Sequence, residues 1–425
     1  GRRLDLFVGV VPAVAGQPEP DPLVLLAGGP GQAATESFVT LPQAFTRIGR
    51  RRDIVLLDQR GTGRSHPLDC EVPADLARAP GGAATLARRC LAAISVDADP
   101  RLYTTGVAVE DLEAVRRALG YEQLNLYGIS YGSRVALAYL RRYPERVRSA
   151  ILDGVVPADV ALGPGMAQSA QDSLDATLAR CEADAACAAA FPELRAHFAA
   201  LAARLEADPI ELALRDPASG EPTRVRMTRD RLAGAVRLLS YAPETTALLP
   251  LLIETAYRGD DLAPLAAQSL ILERQLAESF SYGMQFSVAC TEDVPFADRA
   301  PAALEATYLG SHPFDLLREV CAHWPVGVRA ADFREPVVSD VPVLLLSGEL
   351  DPITPPDHAE RAARTLRRSR HLVAPGQGHG VAIRGCIPGL MSRFVEAGNA
   401  DAIDADCIAR MEPVPFFLRM SGPAP

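Results

Sequence analysis

The sequence has few of the features that several large protein classes require. Its 425 residues include no lysine, so all 43 basic residues are arginine, and a net charge of −10 disfavours a nucleic-acid-binding face. No uncharged apolar stretch reaches about 18 residues, so no membrane span is expected. Cysteine never occurs as CxxC or beside clustered histidines, which disfavours zinc. We therefore expect no metal, no nucleic-acid partner and no membrane span.

The chain does contain enough apolar sequence for a large core. Hydrophobic residues make up 48 %, which excludes a disordered chain. The N-terminus begins like a signal peptide, with two arginines and an apolar run, but Asp5 interrupts that run. Leu4, Leu6 and Val8 alternate as in a strand. We predict a strand here, with Gly1 as the start of a mature or trimmed chain.

The eight cysteines fall in order as four local couples. An even number in sequential pairs is typical of disulfides made in an oxidising compartment, whereas buried thiols of a cytosolic enzyme are the alternative. We therefore predict a periplasmic or secreted protein. The couples are Cys70 with Cys90, Cys181 with Cys187, Cys290 with Cys321, and Cys386 with Cys407.

Apolar runs alternate with helical patterns in the first part of the chain. The runs at 22–29, 53–61, 124–128 and 148–154 lack polar alternation, as strands do when both faces of a parallel sheet are covered. The helical pattern at 109–120 lies between two of these runs and closes on a glycine. This order indicates an α/β sheet with right-handed crossovers.

The predicted secondary structure changes along the chain from alternating strands and helices to mainly helices, and this change divides the chain into segments. Helical patterns predominate after the first sheet strands, with one hairpin-like interruption, and buried strands return at 341–352 and 370–380. We predict an α/β core in two segments, residues 1–157 and 326–425, split by a mainly helical cap over residues 158–325.

The stretch NLYGISYGSR places Ser130 between Gly128 and Gly132, where a strand passes into a helix. In that setting G-x-S-x-G is the nucleophile elbow of the α/β-hydrolase fold. The turn strains the serine backbone, and the glycines relieve the crowding around it. We predict that fold, with Ser130 as the nucleophile.

A nucleophilic serine needs a base and an acid, which this fold supplies in the chain order Ser, acid, His. His379, in GQGHG directly after a strand, is the predicted base, while His358 and His371 are expected to be structural. Asp351, at the carboxyl end of an apolar run, is the predicted acid. Asp153, in ILDG, is a rival for that role.

The tetrahedral intermediate needs N–H donors for its oxyanion. One expected donor is the backbone N–H of Tyr131, next to the nucleophile. The other should come from the AGGPG loop, where Gly29 is preferred and Gly28 is the alternative. A phosphate-binding loop is disfavoured there, because its lysine and Ser/Thr are missing.

Taken together, GGPGQ, DQRGTGRS, GISYGSR, SGELDPITPP and GQGHG resemble the secreted proline iminopeptidase and tripeptidyl aminopeptidase family of α/β-hydrolases, over nearly all of the chain. The resemblance implies a triad of Ser130, Asp351 and His379 that needs no cofactor. It also implies acidic side chains near the cap that hold the substrate's free amine. Glu292 and Asp293 are the local candidates, a solvated pair being the alternative.

We expect a serine exopeptidase that releases an N-terminal residue or short N-terminal peptide through an acyl-enzyme. The alternatives are a carboxylesterase for small apolar esters and a catalytically silent binding protein of the same fold. An epoxide hydrolase or dehalogenase is disfavoured, because those relatives carry aspartate where Ser130 stands. Asp58 and Arg60, in DQRGTGRS, are expected to brace the loops around the site.

Overall fold

The structure is built around a β-sheet with helices packed on both faces. The computed structural model describes residues 3–72, 81–163, 165–297 and 302–421. Its strands are β1 (Val8–Val11), β2 (Leu23–Leu26), β3 (Ile54–Leu57), β4 (Leu124–Ile129), β5 (Val147–Asp153), β6 (Ile210–Arg215), β7 (Pro222–Met227), β8 (Val343–Gly348) and β9 (Ser369–Ala374).

The helices within those described ranges connect and cover the strands. They are α1 (Ala34–Thr40), α2 (Pro42–Phe45), α3 (Gly82–Ile94), α4 (Thr105–Leu119), α5 (Tyr131–Arg142), α6 (Gly165–Ala183), α7 (Ala185–Ala190), α8 (Leu194–Ala207), α9 (Arg229–Leu239), α10 (Pro243–Thr246), α11 (Leu249–Arg258), α12 (Ala263–Ser279), α13 (Tyr282–Glu292), α14 (His312–Cys321), α15 (Pro356–Ala363) and α16 (Ile387–Ala397).

The main sheet has the order β1-β3-β2-β4-β5-β8-β9. Strand β1 is antiparallel to β3, and every other neighbouring pair is parallel. The predicted α/β-hydrolase fold is confirmed, and each predicted apolar run overlaps a strand. The N-terminal strand begins only at Val8, so Leu4 and Leu6, which the alternation had assigned to it, precede it.

Strands β2 and β3 are buried on both faces of the sheet, which explains why they contain only apolar residues. Side chains of successive strand residues point to opposite faces. Leu23 and Leu25 of β2 accordingly pack in one hydrophobic cluster with α16, whereas Val24 and Leu26 pack in another with α5. The carboxyl ends of the parallel strands therefore meet at one edge of a rigid, covered sheet.

The helices that follow β5 have a hydrophobic core of their own. Helices α6 to α9, α11 and α12 and the antiparallel hairpin β6–β7 share one cluster, and the hairpin lies where the sequence predicted it. Helices α13 and α14 instead contribute Met284, Val288 and Val320 to the cluster on the α5 face of the sheet. Phe416, near the C-terminus, packs in the cap cluster. The predicted domain boundaries stay a prediction, with the cap core centred on α6–α12.

Four disulfides join the cysteines in the predicted local couples: Cys70–Cys90, Cys181–Cys187, Cys290–Cys321 and Cys386–Cys407. Among the residues that the structure describes, no helix is long and apolar enough to cross a membrane.

The bridges should differ in how much they stabilise the fold, because a longer closed loop loses more entropy in the unfolded chain. Cys290 and Cys321 are 31 residues apart, and Cys181 and Cys187 are 6 apart. Replacing the first pair by serine should lower the free energy of unfolding by about 3.5 kcal/mol, against about 2 kcal/mol for the second. Denaturant midpoints of the two double variants measure this order, and equal shifts would contradict it.

Candidate active site

Ser130 sits on a sharp turn between β4 and α5, with φ +54° and ψ −125°. This is strained backbone for a residue with a side chain. The turn needs glycine on both sides, because a Cβ on Gly128 would overlap the carbonyl of Gly132, and one on Gly132 would overlap the carbonyl of Leu26. The Ser130 N–H donates to the Asp153 carbonyl at 2.8 Å, which fixes the turn against β5.

His379 and Asp351 are in direct contact at the same edge of the sheet. Asp351 follows β8, and its Oδ2 lies 2.8 Å from Nδ1 of His379, on the loop after β9. The side chain of Asp351 is fully buried and that of His379 is 10 % exposed. Thr354, which the sequence analysis did not single out, donates from Oγ1 to Asp351 Oδ2 at 2.8 Å and lies 3.1 Å from His379 Nδ1.

The loop of His379 reaches the end of β4. A Cβ on Gly154, the residue after β5, would lie 3.0 Å from Cε1 of His379. A Cβ on Gly380 would lie 2.9 Å from Cδ1 of Ile129, which directly precedes Ser130. The structure therefore brings the three predicted residues to neighbouring loops at the carboxyl ends of β4, β8 and β9.

Burial and charge act in opposite directions on the pKa values of this pair. Burial alone would lower the pKa of His379, but the Asp351 carboxylate outweighs it and holds the pKa above the ordinary histidine value. Burial alone would raise the pKa of Asp351, but His379 and the N–H groups of Thr354 and Ile353 hold it below its usual range. The aspartate is therefore charged and positioned to stabilise an imidazolium.

Asp153, the rival acid, has other partners. Its carboxylate accepts hydrogen bonds from the N–H groups of Val381 and Ala382 and from the Tyr127 hydroxyl, at 2.9–3.0 Å. Burial raises its pKa. Asp153 thus anchors the backbone of the loop that carries His379.

The two remaining candidate histidines lie apart from the Asp351–His379 contact. His371 Nε2 is 2.9 Å from Ser347 Oγ. His358 Nδ1 is buried and has no hydrogen-bond partner among the described residues. Burial lowers the pKa of both rings. Their structural role stays a prediction.

The cap holds the His379 loop through a backbone contact. The N–H of His379 donates to the carbonyl of Tyr241, just after α9, at 2.8 Å. The Tyr241 ring packs edge-on against the His379 ring, with centroids 5.5 Å apart. Gly378 permits this approach, because a Cβ there would overlap the Tyr241 carbonyl. Sequence reasoning missed Tyr241, since a backbone acceptor leaves no signal in side-chain chemistry.

The candidate oxyanion donors flank the serine. Tyr131 is the first residue of α5, so its N–H has no intrahelical acceptor. Its side chain points elsewhere, with the hydroxyl 2.9 Å from Thr105 Oγ1. On the other side the glycine-rich loop passes close to the elbow, since a Cβ on Gly28 would lie 3.3 Å from Ser130 Cβ. Gly29, at φ +109°, lines the cavity described next.

A cavity of about 310 Å³ opens beside the glycine-rich loop. Gly29 and Pro30 form one part of its wall, and most of the rest comes from α13, α14 and other residues of the predicted cap. The lining is mainly apolar, with Met166, Phe286 and Phe314 among its side chains, and the charged residues on it are Arg237 and Asp293. We call this space the apolar cavity.

The two predicted amine-binding acids occupy different positions. Asp293 lines the apolar cavity, where its Oδ1 accepts from Leu162 N at 2.8 Å and forms an ion pair with Arg134 Nη2 at 2.9 Å. Its Oδ2 accepts no hydrogen bond from the residues that the structure describes. Glu292 is turned away from the cavity lining, and both its oxygens accept from Thr105, at 2.7 and 2.6 Å.

Glu292 is nevertheless part of the same charge cluster. Burial raises its pKa to about 7, although Arg134 and the hydrogen bonds from Thr105 lower it. Both Glu292 and Asp293 interact electrostatically with the guanidinium of Arg134.

Asp58 and Arg60 brace loops near the site, as expected. Asp58 is fully buried and accepts from Thr35 N and Arg64 N at 3.0 and 3.1 Å. Arg60 binds Asp111 through Nε and Nη2, at 2.5 and 2.6 Å. Over the described ranges, no group of three or more His, Cys, Asp or Glu side chains is arranged to hold a metal ion.

Comparisons with known proteins agree with this architecture. A family model described as alpha/beta hydrolase fold matches residues 21–225, and one described as TAP-like protein matches residues 310–407. The serine protease Hip1 of Mycobacterium tuberculosis is 28 % identical over 432 residues, 91 % of this chain and 80 % of the relative. The tripeptidyl aminopeptidase of Streptomyces coelicolor is 25 % identical over 92 % of this chain and 77 % of the relative.

A more local relative is the proline iminopeptidase of Neisseria gonorrhoeae, which is 33 % identical over 33 % of this chain and 34 % of its own length. The sheet topology, the serine elbow and these matches define an α/β-hydrolase. More narrowly, the chain is a serine hydrolase that is similar to the peptidases among these relatives, and the matches support the family predicted from the motifs.

Proposed function

We propose that the chain is an exported serine aminopeptidase that hydrolyses short peptides from their free N-terminus. The observation that carries the proposal is the 2.8 Å contact between Asp351 and His379, on a loop that rests against the strained Ser130 elbow. Relatives named tripeptidyl aminopeptidase and proline iminopeptidase support the substrate class. The four disulfides support a periplasmic or secreted location.

Each residue of the candidate site has its own role in the proposed reaction. His379 removes the proton of Ser130 as the hydroxyl attacks the scissile carbonyl, and Asp351 stabilises the imidazolium that forms. The N–H groups of Tyr131 and Gly29 hold the oxyanion. His379 then protonates the leaving amine, and water hydrolyses the acyl-enzyme by the same steps in reverse order. All of these groups belong to the chain itself.

The free amine of the substrate binds at Asp293 in this proposal. Oδ2 of Asp293 is the available oxygen, because Arg134 and Leu162 already occupy Oδ1. Glu292, which precedes Asp293 and does not line the cavity, adds negative charge near Asp293 when it is ionised. An ammonium ion in a largely apolar cavity needs such a carboxylate, since an unpaired charge is costly to bury.

Three substrates test the proposal. Wild-type enzyme should hydrolyse an aminoacyl-arylamide with a free amine much faster than its N-acetylated form, because the blocked nitrogen carries no charge for Asp293. Asp293→Asn should raise KM for the free-amine substrate about 10–100-fold while changing turnover of a simple aryl ester little. Steady-state kcat and KM for the three substrates measure both effects.

Controls separate this role from general damage. Asp172→Asn, at an exposed position of α6, should leave the three rates unchanged. Glu292→Gln should weaken free-amine binding less than Asp293→Asn and spare the ester. Equal losses on amine and ester would remove both acids from the amine site. Efficient hydrolysis of the ester and of neither arylamide would instead indicate a carboxylesterase.

A further inference from the structure

Arg237 of α9 is one of the charged residues that line the apolar cavity. Its Nη2 is 3.3 Å from the Tyr241 hydroxyl, a long hydrogen bond, and its Nε is buried with no hydrogen-bond partner in the described part of the chain. No carboxylate among the residues that the structure describes forms an ion pair with it. The other charged group of the cavity, Asp293, is paired with Arg134. A guanidinium placed in an apolar lining is costly unless an anion joins it.

Tyr241 connects Arg237, on the cavity wall, with His379. Its Cζ is 5.9 Å from the centroid of the Tyr241 ring. That ring is 5.5 Å from the ring of His379, and the Tyr241 carbonyl accepts the His379 N–H. Arg237, Tyr241 and His379 thus form one contiguous group, of which Arg237 lines the cavity.

The protonation step of the reaction determines which part of a bound substrate lies beside Arg237, Tyr241 and His379. His379 must reach the leaving nitrogen in order to protonate it, so substrate atoms beside His379 belong to the leaving portion. In a released amino acid the α-carboxylate is separated from that nitrogen by a single carbon. A carboxylate there lies within reach of a cation next to His379, and arginine binds carboxylates through two parallel hydrogen bonds.

We propose that Arg237 binds the free α-carboxylate of the leaving residue, so that the enzyme prefers short peptides whose C-terminus directly follows the scissile bond. This inference rests on the proposed aminopeptidase function and names its substrate class. The volume of about 310 Å³ fits small-molecule substrates better than a long peptide chain. Asp293 and Arg237 then bind the two opposite charges of one short zwitterionic peptide.

The test uses three peptides with the same free N-terminal residue, chosen as the one that the enzyme cleaves best as an arylamide. That residue is followed by alanine with a free carboxylate, by alaninamide, or by aspartic acid amide. Wild-type kcat/KM should be at least ten-fold higher for the free acid than for alaninamide. Arg237→Gln should reduce the ratio of kcat/KM for the free acid to that for alaninamide to about one. Arg237→Lys should keep part of this ratio, because lysine keeps the positive charge but lacks the planar guanidinium that binds a carboxylate through two hydrogen bonds.

Arg229→Gln is the matched control, since Arg229 lies on the same helix outside the cavity lining and should keep the wild-type ratio. Equal kcat/KM for free acid and alaninamide in the wild type would overturn the inference and leave the aminopeptidase function standing. A preference for the aspartic acid amide over the free acid would also overturn the inference, because Arg237 would then bind an acidic side chain and not the α-carboxylate. Failure to cleave any free-amine peptide or arylamide would overturn the proposed function itself.

Discussion

Ser130→Ala should abolish both peptide hydrolysis and covalent labelling by a fluorophosphonate. The substitution removes the atom that attacks the carbonyl, while an alanine methyl fits the turn without new contacts. Loss of a nucleophilic serine lowers kcat by about 10⁴–10⁶-fold in serine peptidases, the remainder coming from oxyanion stabilisation and substrate binding. Turnover of a free-amine arylamide and gel-based labelling measure the two effects independently.

Ser95→Ala is a suitable control, because Ser95 is exposed and lies just after α3. It should retain full labelling and turnover. Labelling of Ser130→Ala at the wild-type rate would show that another residue is the nucleophile. Normal labelling of the wild type without hydrolysis of any peptide or ester would point to a fold that binds ligands but turns none over.

Features encoded within short segments could be predicted from the sequence. Strands buried on both faces lack polar residues, which is why β2, β3 and β8 were visible as apolar runs. The elbow was visible because its geometry excludes side chains beside Ser130, so Gly128 and Gly132 mark it. The fold limits the chain order of the triad, which left few choices for acid and base.

Features that depend on contacts between distant segments could not be predicted in this way. Tyr241 holds the His379 loop through its carbonyl, which every residue possesses, so no residue type marks the position. Glu292 and Asp293 are adjacent in the sequence, yet α13 ends between them, and only Asp293 reaches the cavity. Thr354 was more accessible to prediction, because a threonine three residues after Asp351 can close a turn on that carboxylate.

Asp351→Asn and Asp153→Asn should have very different effects on catalysis. Asp351 contacts His379 directly, so its amide variant loses the charge that stabilises the imidazolium, and kcat should fall about 10³–10⁴-fold. Asp153 binds the backbone of Val381 and Ala382 instead, so its amide variant should lose thermal stability and keep most of kcat. Steady-state kinetics and thermal unfolding of both variants measure the contrast.

The pH dependence gives a second readout of the same assignment. In the wild type His379 acts as a base only when neutral, and Asp351 raises its pKa, so kcat/KM should fall as the pH drops through a value above the ordinary 6.5. In Asp351→Asn the charge is gone and burial, which lowers the pKa of His379, prevails, so the acid limb should move to lower pH. Asp153→Asn should shift that limb less, because Asp351 still contacts the ring. If the larger shift and the larger loss of kcat both came from Asp153→Asn, the orienting acid would be Asp153 rather than Asp351.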